Sequence, residues 1–251
     1  MMNIFTIAHA QDQEAVTLQR RSLVKFGTNY QHYVIWEDRW PGLPKHWTGW
    51  VRQQAIKLLV GINVVEDRYM VLDAKNFLCK PVDFDAWPIE SGSGLCDPWA
   101  EEPQDFDSYS QFIARATGQP RPALCHATVT PYVLRTSIVK TICQDPRFFS
   151  WFEHDLPSEF VLYNHWARPT EIEDRAQHHT LWPDSGNMEP ESFDAFMANP
   201  MIKIFGMHRD YDDARSRVIV YKWLREQGLL IPAPSETSEE GFKTAVMHLK
   251  G

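Results

Sequence analysis

The apolar and polar positions in the first part of the chain follow strand-like and helix-like patterns in turn. Residues 4–8 form a short apolar run, which predicts a strand at the centre of a sheet. Residues 12–26 carry apolar side chains at helical spacing, and Gly27 ends this predicted helix. Residues 32–36 predict a second strand. A strand–helix–strand start of this kind predicts a parallel sheet with a right-handed crossover.

The same patterns continue along the rest of the chain. Further helices are predicted at residues 49–62, 108–117, 130–143 (with Pro131 in its first turn), 159–166, 190–198 and 212–227. Further strands are predicted at residues 69–72, 77–82 and 202–206. We therefore expect an α/β fold with a mixed, mostly parallel sheet flanked by helices. Residues 1–231 are expected to form a single domain, followed by a C-terminal tail at residues 232–251.

Composition and charge narrow the classes of protein to which the chain can belong. The 251 residues carry a formal net charge of −8, which disfavours non-specific binding of nucleic acid because that needs a basic surface. No apolar run reaches the roughly 20 residues of a membrane span, and the N-terminus lacks a signal-peptide pattern. We expect a cytoplasmic protein without a transmembrane segment, with peripheral membrane association through a partner left open. Its four cysteines have no C-x-x-C spacing, which predicts reduced thiols.

The sharpest polar feature directly follows the third predicted strand. The apolar residues 69–72 lead into Asp73-Ala74-Lys75-Asn76. Ligands of open α/β sheets bind beyond the carboxyl ends of the strands, so Asp73, Lys75 and Asn76 would face such a ligand. Asp and Asn also favour turns, and a solvated turn explains the pattern equally well.

Two helices carry further polar candidates. On the predicted helix 49–62, Gln53 and Lys57 share a face and Gln54 is adjacent, so this face would suit a base, a ribose or a phosphate. An ordinary solvated face is the alternative. Glu159 follows Ser158 in the first turn of a helix, where a carboxylate is either a cap partner or a general base.

Several stretches of the chain together resemble the GT-A glycosyltransferases. The segment 69–76 is similar to the Asp-x-Asp region, in which a strand ends in an acidic motif that holds a divalent metal and the donor diphosphate. The stretches 49–58, 77–81, 158–163 and 205–209 are similar to a bacterial GT-A-like group linked to surface-polysaccharide synthesis. The resemblance implies a GT-A-like (Rossmann-like) catalytic domain. It also implies a hexosyltransferase-type enzyme that moves a sugar from a nucleotide sugar, a UDP-sugar above all, to a saccharide acceptor.

The resemblance also implies roles for particular residues. Asp73, Lys75 and Glu159 are expected in catalysis, with Glu159 as the general base that deprotonates the acceptor. The expected donor-binding residues are Gln54, Lys57, Asn76, His208 and Arg209. The expected acceptor-binding residues are Asp97 and Trp99, and the side chains of Trp50 and Trp99 offer stacking surfaces.

The chain departs from the GT-A pattern at one position, because Lys75 stands where the second Asp of Asp-x-Asp would be. Mg²⁺ and Mn²⁺ need several oxygen ligands, and a nearby ammonium repels them, so Lys75 disfavours a metal cofactor. A metal, if bound, would be held by Asp73 and His208. Our hypothesis is that Lys75 replaces the metal as the charge that stabilises the leaving diphosphate.

Two alternatives for Lys75 stay open. In the first, Lys75 pairs with Asp73 and only closes a turn. In the second, catalysis is lost and the chain is a non-catalytic nucleotide- or carbohydrate-binding module that kept the GT-A fold. A nucleotidyltransferase or phosphatase is less favoured, because the chain has neither a G-x-x-x-x-G-K loop nor a cluster of Asp residues for two metals.

Overall fold

The structure is a computed structural model that describes residues 1–87, 91–93, 104–121, 129–154, 158–167, 178–181, 190–207 and 214–230. Its strands are β1 (Met2–Ala8), β2 (Gly27–Thr28), β3 (Tyr30–Trp36), β4 (Arg68–Asp73), β5 (Asn76–Leu78), β6 (Val82–Asp83), β7 (Ser91–Ser93), β8 (Val129–Arg135), β9 (His178–Leu181) and β10 (Ile204–Met207). Its helices are α1 (Gln13–Phe26), α2 (Gly49–Leu59), α3 (Gln104–Thr117), α4 (Thr136–Gln144), α5 (Phe148–His154), α6 (Glu159–Ala167), α7 (Pro190–Ala198) and α8 (Ala214–Glu226).

The central sheet has five strands in the order β3-β1-β4-β8-β7. Strand β1 is parallel to both β3 and β4, and β8 is antiparallel to β4 and β7. Smaller sheets join β5, β10 and β9, and β2 with β6. Ala8 lies opposite Trp36, and Ile7 lies opposite Asp73, so the three parallel strands end at one edge of the sheet. The predicted mixed, mostly parallel α/β fold is confirmed.

The local sequence explains the elements that lead to this edge. Residues 69–72 of β4 are all fully buried, as expected for a central strand that is covered on both faces. Helix α2 begins after Thr48, whose hydroxyl accepts a hydrogen bond from the amide of Val51. Helix α1 ends where the amide of Gly27 bonds the carbonyl of Leu23, and a side chain at position 27 would collide with that carbonyl. The predicted helices over 12–26 and 49–62 are confirmed, the second ending in a 3₁₀ turn at residues 60–63.

One predicted element is wrong. Residues 130–143 do not form one helix, because residues 129–135 are strand β8 and the helix α4 begins only at Thr136. Strand β8 pairs with β4, with Val71 opposite Tyr132. A continuous buried run such as Tyr132-Val133-Leu134 looks the same in a buried strand and in a buried helix, so its spacing could not distinguish them. The long-range pairing with β4 decided in favour of the strand.

Buried apolar side chains form several groups, and two of these, unequal in size, contain helix residues from the second half of the chain. The larger group joins the central sheet to α2, α4, α5 and α6, and includes Ile56, Tyr69 and Phe160. The second lies beneath α8 and includes Phe77, Phe205 and Leu224. The segment that follows α8 is hydrogen-bonded to α1, since the Arg21 guanidinium donates to the carbonyl of Leu229 at 2.9 Å.

Several expectations concern features beyond the fold. No helix in the part of the chain that the structure describes is long and apolar enough to cross a membrane. Cys79 is buried and Cys143 partly buried, and both are free thiols; Cys96 and Cys125 lie outside the described residues. The predicted tail at 232–251 also lies outside them, and the single-domain organisation stays a prediction.

Candidate active site

Asp73 ends strand β4 at the edge where β1 and β3 also end, and 46% of its side chain is exposed. The chain then turns through Ala74 and Lys75 into β5. The Asn76 amide oxygen accepts a hydrogen bond from the amide of Asp73 at 2.7 Å and closes this turn. The amide of Met207 donates to the carbonyl of Lys75 at 3.1 Å. The turn is therefore fixed by its own residues and by β10, while the Asp73 carboxylate stays accessible.

A buried ammonium group connects the Asp73 carboxylate to Glu159. The Lys57 Nζ lies 2.9 Å from Asp73 Oδ1 and 2.9 Å from Glu159 Oε1. The side chain of Lys57 is 5% exposed and that of Glu159 is 2% exposed. These three residues come from α2, β4 and α6, so the charges meet only in the folded chain. The Lys57 Nζ also lies 5.3 Å from the centre of the Phe160 ring.

The shared ammonium sets the protonation of the three groups. Burial lowers the pKa of Lys57, but the charges of Asp73 and Glu159 raise it by more than burial lowers it. The pKa of Lys57 is therefore above its ordinary value. Loss of hydration raises the pKa of Asp73, but Lys57, the Thr130 hydrogen bond and the charge of Lys75 together bring it below the ordinary value. Burial raises the pKa of Glu159, and the opposing effect of Lys57 does not cancel this. Asp73 is therefore held in its ionised form, with Lys57 as its fixed counter-charge.

The second oxygen of Asp73 also has a donor. The Thr130 hydroxyl, at the start of β8, donates to Asp73 Oδ2 at 2.7 Å. Both carboxylate oxygens therefore accept hydrogen bonds from protein. A divalent ion needs several oxygen ligands, and the described residues contain no group of three His, Cys, Asp or Glu side chains that could hold one. Among the described residues, the groups around Asp73 therefore do not make up the oxygen ligand set that a divalent metal needs.

Residues Gln54 and Lys57 face the interior of the protein. Gln54 is buried, and its side-chain oxygen lies 3.5 Å from the amide of Glu159 at the start of α6. The Ser158 hydroxyl lies 3.5 Å from Glu159 Oε2. The alternative of an ordinary solvated face is therefore wrong for residues 54 and 57. Their contacts hold the N-terminus of α6 against α2.

Lys75 stands apart from this buried arrangement. Its side chain is partly exposed and forms no ion pair or hydrogen bond with the residues that the structure describes. Its charge nevertheless lowers the pKa of Asp73, which places it in the electrostatic reach of that carboxylate. The alternative in which Lys75 pairs with Asp73 is wrong, because the pairing cation is Lys57.

A second polar cluster lies at the carboxyl ends of β1 and β3. The Arg52 Nε lies 2.9 Å from Glu37 Oε2, and Arg52 also donates to the carbonyl of Glu37 at 2.7 Å. The His9 Nε2 lies 3.5 Å from Glu37 Oε1, and 42% of the His9 side chain is exposed. Helix α2 therefore supplies a cation to the residues that follow β3, through Arg52, and to the end of β4, through Lys57.

Sequence reasoning missed two residues that touch the Asp73 turn. Thr130 was hidden inside a wrongly predicted helix. Gln19 donates from its side-chain nitrogen to the carbonyls of Asp73 and Asn76. A signal for Gln19 existed in the sequence, because it lies on the apolar face of α1 between the buried Val16 and Leu23, where an uncharged polar side chain needs a buried partner.

Four expected site residues lie outside the described residues. These are the donor-binding candidates His208 and Arg209 and the acceptor-binding candidates Asp97 and Trp99. The possible metal pair of Asp73 and His208 stays a prediction for the same reason. Trp50 is partly exposed and packs against the larger apolar group.

Comparisons with known proteins bear on the family and on the fold. A family model described as "Family of unknown function (DUF6492)" matches residues 12–180, which is more than half of the chain. The chain matches none of the curated proteins. A structure of the galactosyltransferase LgtC with donor and acceptor sugar analogues aligns over 94% of this chain and 98% of its own, with a TM-score of 0.50 and 13% identity. An active-site mutant of LgtC gives the same coverage and TM-score with 12% identity. Likeness at this identity shows the fold, and the expected GT-A-like fold is confirmed.

Proposed function

The chain belongs to the family of unknown function DUF6492, and we propose that it is a cytoplasmic glycosyltransferase. In this proposal it moves a sugar from a nucleotide-diphosphate sugar, such as a UDP-sugar, to a saccharide acceptor in the synthesis of a bacterial surface polysaccharide (capsule or lipopolysaccharide). The observation that carries the proposal is the Asp73 carboxylate. It is ionised and accessible at the carboxyl edge of a GT-A-like sheet, and a buried lysine holds it from behind.

The exposed side of Asp73 suits the recognition of a donor hydroxyl. One oxygen is held by Lys57 and the other by Thr130, so the carboxylate cannot rotate freely. Its remaining lone pairs can accept hydrogen bonds from hydroxyl groups of a ribose or a hexose. A carboxylate that is fixed before the ligand arrives loses little conformational entropy on binding. This supports a role for Asp73 in orienting the donor.

Lys75 supplies the positive charge in the proposed reaction. Breaking the bond between the sugar and the diphosphate leaves negative charge on the diphosphate, and a nearby fixed cation stabilises that charge. Lys75 follows Asp73 by two residues, and its side chain has no hydrogen-bond or ion-pair partner among the described residues, so in this proposal its ammonium meets the ligand. The neighbouring Lys57 is not available in this way, because two carboxylates already bind it.

Glu159 has a different role in this proposal from the general base expected from sequence. Its carboxylate is almost fully buried and binds Lys57, so it lies where it fixes the cation behind Asp73. We therefore assign Lys57, Glu159 and Asn76 to positioning Asp73. Gln54 is assigned to holding the N-terminus of α6 against α2. His208 and Arg209 stay predictions for the diphosphate, and Asp97 and Trp99 for the acceptor.

A panel of UDP-sugars tests the proposal on the full chain. Calorimetry measures binding of each one, and release of UDP measures turnover, both with EDTA and with added Mn²⁺. We expect binding and turnover that persist in EDTA. Complete loss in EDTA with recovery in Mn²⁺ would overturn the metal-free role of Lys75. Binding without turnover under every condition would favour the non-catalytic module, and the absence of binding would reject the proposal.

The variant Lys75→Ala tests the proposed cation. We expect at least a tenfold loss of turnover, because a charge that acts on the developing diphosphate is removed. The unfolding free energy should change by less than about 0.5 kcal/mol, as is usual for a partly exposed side chain without a hydrogen-bond or ion-pair partner. Lys222→Ala is the matched control, since it removes one exposed positive charge from α8. Equal turnover in both variants and the wild type would contradict the role of Lys75.

A further inference from the structure

A buried chain of polar side chains supports the Asp73 turn from beneath. The Gln19 Nε2 donates to the carbonyl of Asp73 at 2.7 Å and to that of Asn76 at 3.0 Å. The Thr6 hydroxyl donates to Gln19 Oε1 at 2.7 Å, and its oxygen lies 2.9 Å from Nε2 of His32. Gln19 and Thr6 are fully buried. This series of hydrogen bonds runs from His32 in β3 through Thr6 in β1 and Gln19 in α1 to the two ends of the turn.

The hydrogen-bond capacities of these groups determine which of them donates and which accepts in each bond. Two carbonyls can be satisfied only by the NH₂ group of Gln19, so its oxygen must point to Thr6. The single hydroxyl proton of Thr6 goes to Gln19, so His32 Nε2 must donate to Thr6. Burial, with a smaller contribution from Arg20, lowers the pKa of His32 to about 4, so the ring is neutral at pH 7 with its proton on Nε2.

The carbonyls that Gln19 holds belong to the first and last residues of the turn, Asp73 and Asn76. The side chain of Asn76 already closes the turn from within. Gln19 therefore fixes the turn to helix α1. No other described side chain bonds both of these carbonyls. Movement of this backbone would shift Asp73 and Lys75 together, because both lie within it.

We propose that Gln19 is a positioning residue that sets the place of Asp73 and Lys75 in the ligand site, through its two bonds to the backbone of their turn. This rests on the proposed function for the ligand, but the effect on the turn itself does not. Gln19 touches no substrate. It acts on the reaction only through the backbone at residues 73–76.

The variant Gln19→Leu, compared with Ser22→Ala, tests this role. Ser22 lies on the same helix, is equally buried, and its hydroxyl accepts from the amide of Leu78, two residues beyond the turn. Hydrogen exchange of the amides at 73–76, thermal unfolding, and UDP affinity by calorimetry are measured for both. We expect Gln19→Leu to exchange faster at 73–76 and to bind UDP at least tenfold more weakly. Ser22→Ala should lose stability but keep the affinity and the slow exchange of the wild type.

Thr6→Val gives a milder second test, because it removes the bond that orients Gln19 and keeps the two bonds to the turn. We expect a loss of UDP affinity of about threefold, and this variant serves if Gln19→Leu does not fold. Wild-type exchange at 73–76 and wild-type affinity in the folded variants would overturn the proposal. If the wild type itself does not bind UDP, the proposed function fails, and the exchange data still decide whether Gln19 holds the turn.

Discussion

Lys57 determines the electrostatics of the site at the scale of single residues. Burying an ammonium is costly, and here two carboxylates compensate it from opposite sides. One of these carboxylates, Asp73, reaches solvent, whereas Glu159 does not. Lys57 therefore couples an internal charge to an accessible one. Removal of any one of the three charged groups should therefore change the electrostatic environment of the other two.

Lys57→Met should lower the unfolding free energy by about 3–5 kcal/mol at pH 7, because two carboxylates lose their cation. The pKa of Glu159, already raised by burial, should rise further, so the folded state binds a proton that the unfolded state does not. The deficit should therefore shrink as the pH falls from 7 to 5. Urea unfolding at the two pH values measures this.

The double variant Lys57→Met with Glu159→Gln is the control for that result. It removes one of the two uncompensated carboxylates, so it should recover part of the lost stability at pH 7. Its deficit should also depend less on pH. An equal deficit of Lys57→Met at pH 7 and pH 5 would contradict a charge-based cause.

His32 provides a pH dependence of its own. Its pKa in the folded chain is about 4, below the ordinary value of 6.5. Between these values the unfolded state takes up a proton that the folded state does not, so stability is lost as the pH falls from 6.5 to 4. His32→Gln keeps a donor for Thr6 but does not titrate. Its stability, from urea unfolding at several pH values, should fall less steeply over this window, and parallel curves would contradict this role.

At the scale of elements, the placement of α2 against β4 brings Lys57 to Asp73. The Tyr69 hydroxyl in β4 donates to the carbonyl of Lys57 at 2.9 Å, which fixes the helix to the strand. The 3₁₀ turn that follows α2 passes close to the same ring. A Cβ at Gly61 would lie 2.8 Å from Tyr69 Oη and 2.8 Å from Val139 Cγ1. Close packing at this point therefore requires glycine.

Gly61→Ala should lower the unfolding free energy by about 1–3 kcal/mol, because the added methyl group overpacks a buried contact. The neighbouring Ile62 is 43% exposed, and Ile62→Ala should change it by less than about 0.5 kcal/mol. Chemical unfolding of both variants makes the comparison. Wild-type stability of Gly61→Ala would show that α2 can move away from Tyr69 at no cost.

The whole molecule brings its polar site to one edge of the sheet. Strands β1, β3 and β4 run in the same direction, and their ends place His9, Glu37 and Asp73 along this edge. Strand β5 leaves the Asp73 turn and enters the second apolar group, through Phe77. The turn therefore lies at the junction of the central sheet with the part of the molecule that α8 covers.

Leu224→Ala tests whether these parts fold together. Leu224 is fully buried, and its loss should cost about 2–5 kcal/mol. If the chain is one domain, tryptophan fluorescence and circular dichroism should report one coincident transition for the wild type and the variant. Lys222→Ala, exposed on the same helix, should leave that transition within about 0.5 kcal/mol. Two separate transitions would contradict a single domain.

The sequence by itself determined the order of most elements and the position of Asp73. A strand that is buried on both faces has a continuous apolar run, and helix ends have local signals such as Thr48 and Gly27. Both features depend only on residues that are neighbours in the sequence. The polar segment after β4 was identified because ligands bind beyond the carboxyl ends of the strands in open α/β sheets. Lys57 and Glu159 were identified singly, without any indication that they meet.

Only the tertiary structure decided what surrounds Asp73. Its partners come from positions 57, 130 and 19, and its ion-pair network extends to position 159, so contacts across long stretches of chain define the site. The strand β8 likewise depends on pairing with β4, since its buried residues have no local feature that separates strand from helix. Local patterns specify which face of an element is buried. Which buried charges and hydroxyl groups then meet depends on packing between elements. Among the described residues, that packing made Lys57, and not Lys75, the ion-pair partner of Asp73.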